Sequence, residues 1–195
     1  SVTKTVGRID NLATALEQTP ALGCTGIGHT RWATHGPATQ PNAHPHLGGD
    51  QVLAIVHNGV IENYQQIKDD LEAEGYCFRS DTDSEVIAQL VDYHLNRIGA
   101  EEASENGDPH KTLVPAVKNA LARLKGTYGL VILFRDYPEV LVAARLGSPL
   151  VVGIGDGEHF VASDASPLVG YTDKIVCLTD HQVAVVTADH LRVTH

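Results

Sequence analysis

The second half of the chain is a series of short β-rich runs joined by turn residues, and this pattern constrains the fold more than any other feature. Links such as Asp136-Tyr137-Pro138 and Gly155-Asp156-Gly157 join consecutive strands directly, so largely antiparallel sheets are expected. The predicted strands are Tyr128 to Phe134, Val140 to Arg145, Leu150 to Ile154, Phe160 to Ser163, Lys174 to Leu178, Val183 to Thr187 and Leu191 to Thr194.

Helical patterns dominate the first half, and capping residues bound several of them. Asn63 with Gln66 and Thr82 with Glu85 have capping-box spacing, and Gly75 supplies a stop. Together with the strands, these helices predict a layered α+β architecture with the helices on the outer faces of the sheets. The predicted helices are residues 9–18, about 63–74, 82–95 and roughly 112–125, and residues 99–111 are predicted to be an exposed connection.

The apolar run from Gln51 to Val56 predicts a buried strand that ends at His57-Asn58-Gly59. Taken alone, the Asn-Gly pair favours a sharp turn. The alternative is an oxyanion hole, because the amide of Asn58 and the backbone N–H of Gly59 can converge on one developing negative oxygen.

Composition limits the partners of the chain. Its 14 Lys and Arg against 24 Asp and Glu give a net charge of −10 and leave no basic stripe, which argues against nucleic acid or an anionic membrane surface. No apolar run is long enough to span a bilayer.

The three scattered cysteines are typical of reduced thiols in a cytoplasmic protein, and Cys24 is expected to be buried among small apolar groups.

The segment His29-Thr30-Arg31-Trp32-Ala33-Thr34-His35-Gly36 crowds charged, aromatic and hydroxyl groups without helical or strand periodicity. Glycines precede it and a proline-rich run follows, so it predicts an ordered loop that presents side chains to a ligand. Arg31 offers a planar fork for a carboxylate, and Thr34 and His35 add donors and acceptors. A small anionic or zwitterionic ligand is therefore expected.

Structural interpretations compete at several of these positions. Trp32 could be a core anchor, and Asp83 could be a solvated acid in the first turn of a helix, beside Asp81. Eleven histidines raise the question of a metal, but neither Cys-x-x-Cys nor His-Glu-x-x-His is present, so hydrogen-bonded loop histidines are favoured over a metal site.

Four ordered motifs resemble the glutaminase domain of the glucosamine-6-phosphate synthase family, a class II glutamine amidotransferase. The resemblance continues to Leu150 and covers nearly the whole chain. The motifs are His29 to Gly36, Asn42-Ala43-His44-Pro45-His46, His57 to Asn63 and Ser80 to Val86, followed by Gly126 to Gly129 and Ala144 to Leu150.

The resemblance implies an N-terminal-nucleophile hydrolase fold, a four-layer α/β/β/α sandwich with antiparallel sheets. In this family the domain hydrolyses the side-chain amide of L-glutamine and passes ammonia to a sugar isomerase domain of the same polypeptide. That domain converts fructose 6-phosphate into glucosamine 6-phosphate for amino-sugar biosynthesis. No metal or cofactor is expected, and a homo-oligomer is expected for the full-length protein.

By position in the motifs, each predicted site residue receives a role. Asn58 and Gly59 would form the oxyanion hole. Arg31 would hold the α-carboxylate of glutamine as a bidentate partner, and Asp83 would take its α-ammonium. Thr34 and His35 would add hydrogen bonds, and Trp32 would lie by the channel mouth.

The family nucleophile is an N-terminal cysteine whose α-amine is the base, and Ser1 aligns downstream of it. The expectation is therefore that residues 1–195 are a glutaminase domain truncated at its N-terminus, inactive alone and without its first strand or the isomerase domain. Loss of that strand would expose a sheet edge. The alternatives are a non-catalytic glutamine-binding module of the same fold and a relative that makes another amino product.

Overall fold

The computed structural model describes residues 1–32, 34–101 and 109–195, apart from the side chains of residues 99–101, 109 and 110. The helices are α1 (Ile9–Gln18), α2 (Tyr64–Ala73), α3 (Asp83–Glu101) and α4 (Pro109–Leu121), with a one-turn 3-10 helix at Ser166–Leu168. The strands are β1 (His46–Gly48), β2 (Leu53–Ile61), β3 (Gly126–Phe134), β4 (Tyr137–Leu146), β5 (Val151–Ile154), β6 (His159–Ala162), β7 (Ile175–Cys177), β8 (Gln182–Val186) and β9 (Leu191–Thr194).

The strands form two antiparallel sheets, which confirms the prediction from the short turns. The larger sheet has six strands in the order β1-β2-β3-β4-β8-β9, and the smaller has three in the order β6-β5-β7. Each paired neighbour runs antiparallel, including the long β2–β3 ladder from Leu53 opposite Phe134 to Ile61 opposite Gly126.

The larger sheet is covered on both faces. Successive residues of its central strands point to opposite sides, so they contribute alternately to two cores. One face, which includes Ile55 and Ile132, packs with buried residues of α2, α3 and α4 such as Ile87. The other, which includes Val56, packs against residues of the smaller sheet such as Val152. The result is an α+β sandwich, and the one-turn helix at Ser166–Leu168 contacts β6 of the smaller sheet.

The four predicted helices are confirmed, but the packing of α1 and the N-terminal cap of α2 differ from the predictions. Helix α1 has the predicted bounds, but none of its residues is buried and Ile9 is 65% exposed, so its apolar face joins neither core. The predicted capping box at Asn63 is wrong, since the Asn63 amide donates to the Arg123 carbonyl and accepts from Lys125 N–H instead. Of the two hydrogen bonds of the capping box predicted at Thr82, the one from the Glu85 N–H to Thr82 Oγ1 is confirmed. The Glu85 carboxylate accepts from Ser80 instead.

Two boundaries differ from the predictions. Strand β2 continues through Asn58 and Gly59 to Ile61, so the predicted sharp turn is wrong. Of the predicted connection at residues 99–111, the first residues belong to α3 and the last to α4, and residues 102–108 lie outside the described residues. Within the described ranges, no helix is long and apolar enough to cross a membrane.

Candidate active site

A cleft of about 100 Å³, called the site cleft below, lies at the end of β2 and the start of α3. Its third wall is the loop around Arg31, which begins at His29 and is called the Arg31 loop. The site cleft contains every site residue predicted from the sequence, together with other residues that sequence reasoning did not assign to it. A wider, open depression of about 990 Å³ beside Tyr76 and Asp92 contains none of the predicted residues. The residues of the site cleft are His29, Arg31, Trp32, Thr34, His35, His44, His57, Asn58, Gly59, Thr82, Asp83 and Ser84.

Strand β2 carries Asn58 and Gly59 into this cleft in a conformation that only glycine tolerates at the second position. Gly59 has φ +135°, and a Cβ there would lie 2.1 Å from the carbonyl oxygen of Thr127 on β3. The close approach of the two strands therefore excludes any side chain at Gly59. Asn58 itself is exposed, and its Oδ1 lies 2.7 Å from His29 Nε2.

Asp83 is 2% exposed in the first turn of α3, so the interpretation as a solvated cap is wrong. Its Oδ2 accepts the Ile61 N–H at 2.9 Å, which ties the end of β2 to the start of α3. Its Oδ1 lies 3.5 Å from Nδ1 of His35. Asp81, by contrast, is exposed. Asp83 is thus a buried carboxylate with one oxygen directed toward the cleft residue His35.

The guanidinium of Arg31 contacts its own loop. Nη1 donates to the Pro37 carbonyl at 2.9 Å, and Nη2 donates to the carbonyls of His35 at 2.6 Å and Gly36 at 3.0 Å. Arg31 also has φ +29°, in the left-handed region that non-glycine residues rarely adopt. The predicted bidentate bond to a carboxylate therefore requires that loop carbonyls release one edge of the guanidinium.

Trp32 and Cys24 both differ from the structural interpretations considered for them. Trp32 is 91% exposed at the cleft, so it is not a core anchor. Cys24 is exposed rather than buried, because the segment around it is neither helix nor strand and contributes to neither core. Cys77 and Cys177 are also free and exposed.

The cleft histidines are hydrogen-bonded, as favoured from the sequence. His57 Nε2 faces the Thr127 carbonyl at 3.4 Å and its Nδ1 faces Ser84 Oγ at 3.0 Å, while His44 Nε2 lies 3.2 Å from the same hydroxyl. A carbonyl only accepts, so His57 Nδ1 accepts from Ser84, whose oxygen accepts from His44. Within residues 1–32, 34–101 and 109–195, no group of three His, Cys, Asp or Glu could hold a metal.

Burial keeps His44 of the cleft and the nearby His46 neutral. Desolvation, followed by the neighbouring His29, His46, His57 and Arg31, lowers the pKa of His44 to about 2. Desolvation, followed by Lys4 and Arg31, lowers the pKa of His46 to about 3, against a smaller raising effect of Asn42. Nδ1 of His44 is buried and has no hydrogen-bond partner among the residues that the structure describes, which also suits a ring that carries no charge.

We expect the chain to lose stability as the pH falls from 7 to 5. Below about pH 6.5 His44 and His46 become protonated in the unfolded chain but stay neutral in the folded protein. The free energy of unfolding therefore decreases. Each histidine contributes a loss of roughly 2 kcal/mol at pH 5. Urea unfolding at the two pH values measures this difference.

A pair of variants isolates the contribution of His44. His44→Gln keeps a donor for Ser84 but does not titrate, so the pH-dependent loss should be smaller by roughly 2 kcal/mol, the contribution of His44. His190, whose side chain is exposed, provides the control, and His190→Gln should leave the loss unchanged. Equal pH dependence in all three proteins would contradict the assignment of the loss to His44.

Comparison with known proteins defines the family. The family model of the glutamine amidotransferase domain matches residues 29–170, which is more than half of the chain. The chain belongs to this family. The match includes the Arg31 loop, Asn58 with Gly59, and Asp83, so the site cleft lies entirely within the matched region.

Curated relatives share nearly half of the sequence. Glutamine–fructose-6-phosphate aminotransferase (isomerizing) of Bacteroides thetaiotaomicron is 46% identical over 188 residues, which cover 95% of this chain and 28% of the relative. The enzyme of that name from Thermus thermophilus is 45% identical over 193 residues, which cover 99% of this chain and 30% of the relative. The chain therefore spans less than a third of the length of these relatives.

Solved structures support the fold. A structure of the allosteric regulatory enzyme of purine biosynthesis has a TM-score of 0.64 and 27% identity, and the match covers 85% of this chain and 34% of that one. Glutamine phosphoribosylpyrophosphate amidotransferase from B. subtilis has a TM-score of 0.64 at 24% identity, covering 85% of this chain and 33% of that one. The second likeness shows the fold alone.

Proposed function

We propose that this chain is the glutaminase domain of a glucosamine-6-phosphate synthase. It binds L-glutamine in the site cleft and releases ammonia from the side-chain amide for the conversion of fructose 6-phosphate into glucosamine 6-phosphate. The observation that carries the proposal is the convergence of Arg31, Asp83, Asn58 and Gly59 on one cleft. Relatives with that activity in their name are 45–46% identical to the chain.

The two charged residues suit the two ends of an amino acid. The α-ammonium would bind Asp83 Oδ1, whose neighbour His35 is 3.5 Å away, while Oδ2 remains bonded to Ile61 N–H. The α-carboxylate would bind Arg31, replacing loop carbonyls on its guanidinium. Trp32, Thr34 and His35 would complete the binding surface around the ligand. A zwitterion satisfies both residues, whereas a simple anion or cation satisfies only one.

Hydrolysis needs a nucleophile and a site for the developing negative oxygen. Asn58 Nδ2 and the Gly59 N–H would donate to that oxygen. The cysteines Cys24, Cys77 and Cys177 do not line the cleft. The proposed nucleophile is therefore an N-terminal cysteine encoded upstream of Ser1, activated by its own α-amine.

The longer relatives support a larger protein around this chain. Because the chain covers only 28–30% of them, we assign residues 1–195 to a glutaminase domain and expect a sugar isomerase domain elsewhere in the same polypeptide. A cytoplasmic homo-oligomer that needs no metal or cofactor is the proposed form of the full-length protein. The acceptor sugar would bind outside these residues.

The deciding experiment compares this chain with a version extended to its natural start. Both are titrated with L-glutamine by calorimetry and assayed for ammonia release, with D-glutamine as the matched control ligand. We expect stereospecific binding to both proteins and ammonia release only from the extended one. Binding without hydrolysis in both would instead support a non-catalytic glutamine-binding module. Hydrolysis by the shorter chain would point to a nucleophile among its own residues, with Cys24 the first to mutate.

A further inference from the structure

His29 links the two halves of the site cleft through the two nitrogens of one ring. Its Nδ1 lies 2.7 Å from the backbone nitrogen of Arg31. Its Nε2 lies 2.7 Å from Oδ1 of Asn58. The ring also contacts the ring of His44 at a tilt of 37°, with the ring centres 4.1 Å apart. The Arg31 loop and strand β2 are therefore joined by one side chain that is half-buried at the cleft.

The hydrogen bonds fix the tautomer of this ring. A backbone N–H can only donate, so Nδ1 must be the unprotonated acceptor of the Arg31 N–H. A neutral ring then carries its proton on Nε2 and donates it to Oδ1 of Asn58. A ring protonated at both nitrogens would lose the bond to Arg31, and the other tautomer would lose both bonds.

The same bond fixes the orientation of the Asn58 amide. Because Oδ1 accepts from His29, the amide cannot flip without placing its NH₂ group against the Nε2–H donor. The NH₂ group of Asn58 is thus held on the edge of the amide away from His29. A preorganised donor of this kind contributes to catalysis because it does not have to reorient when negative charge develops.

We propose that His29 is a positioning residue that holds the Asn58 donor and the Arg31 backbone in one fixed arrangement. This inference rests on the proposed function, since it assumes that Asn58 donates to the oxyanion. Nδ1 supports the left-handed backbone of Arg31, and Nε2 orients the amide of Asn58. The ring acts through these two residues rather than by contact with the reacting amide.

Two substitutions separate the functions of the two nitrogens. His29→Gln can place an amide donor near the position of Nε2 but has no acceptor at the position of Nδ1. His29→Asn can place an oxygen near the position of Nδ1 but has no donor that reaches Asn58. His29→Ala removes both groups, and His190→Gln is the control at an exposed histidine outside the cleft.

The kinetic test uses the protein extended to its natural start. His29→Asn should lower kcat for glutamine hydrolysis by about tenfold or more with little change in KM, since an oxyanion donor is misoriented. His29→Gln should mainly raise KM, and His29→Ala should do both. Equal losses in the Gln and Asn variants, or no loss in His29→Ala, would overturn the proposal. Absence of hydrolysis in the unsubstituted extended protein would instead refute the proposed function.

A spectroscopic test is independent of activity. In this chain labelled with ¹⁵N-histidine, Nδ1 of His29 should resonate as an unprotonated nitrogen and Nε2 as a protonated one. The assignment is made by loss of the signals in His29→Gln. The reverse tautomer, or a ring that exchanges between both, would contradict the positioning role even if the protein hydrolyses glutamine.

Discussion

Asn58→Ala in the protein extended to its natural start lowers kcat for glutamine hydrolysis by about 10²- to 10³-fold, the usual cost of losing one oxyanion donor. KM should change far less, because the amide of Asn58 would donate more strongly to the developing oxyanion than to the neutral carbonyl. Ammonia release under saturating glutamine measures kcat, and its dependence on glutamine concentration measures KM.

Two further variants make this result specific to the donor. Val60 is partly exposed two residues along β2 and does not line the cleft, so Val60→Ala should leave kcat unchanged. Asn58→Asp retains the shape but replaces the NH₂ donor with a negative oxygen, so its loss should exceed that of alanine. An equal loss in Val60→Ala would show that the strand, rather than the donor, was disturbed.

Asp83→Asn weakens glutamine binding to this chain by about 30-fold or more, because removing a buried charged partner costs roughly 2 kcal/mol at the least. The amide oxygen of asparagine can still accept the Ile61 N–H, so the melting temperature should change little. Calorimetric titration with L-glutamine and a thermal melt of each protein measure the two effects separately.

The control is Asp81→Asn, which removes the same charge from the exposed neighbour and should leave glutamine affinity unchanged. Asp83→Ala differs in a second way, because it leaves the buried Ile61 N–H without an acceptor and should destabilise the fold by about 1–3 kcal/mol. If Asp83→Asn binds glutamine as tightly as the unsubstituted chain, Asp83 does not hold the α-ammonium.

Local sequence patterns were sufficient for most of the elements. Strands β3 to β9 were predicted within a few residues because runs of β-branched and apolar residues alternate with strong turn formers. The end of β2 was missed because the Asn-Gly preference for a turn is local, whereas the pairing that overrides it is not. Gly59 pairs with Tyr128 and Ile61 with Gly126, far along the chain.

Contacts between residues far apart in the sequence also limited how much of the site could be predicted from the sequence. The motifs supplied the residues of the cleft, but Ser84 bonds to His44 and His57, and His29 bonds to Asn58. These partners come from different elements, so no spacing rule relates them. The burial of Asp83 likewise depends on the packing of α3 against β2, which an acidic residue in a first helical turn does not reveal.

The central strands β2, β3 and β4 contribute residues to both cores. This arrangement separates the stability of the domain from the ligand preference of the cleft. Breaking these strands would expose both cores together, so their amide protons should exchange with solvent only through global unfolding. Asn58 and Gly59 lie on β2, near its end, whereas Arg31 lies in a segment outside the helices and strands. We therefore expect sequence changes in the loop around Arg31 to alter ligand preference with little effect on the folded lifetime of the domain.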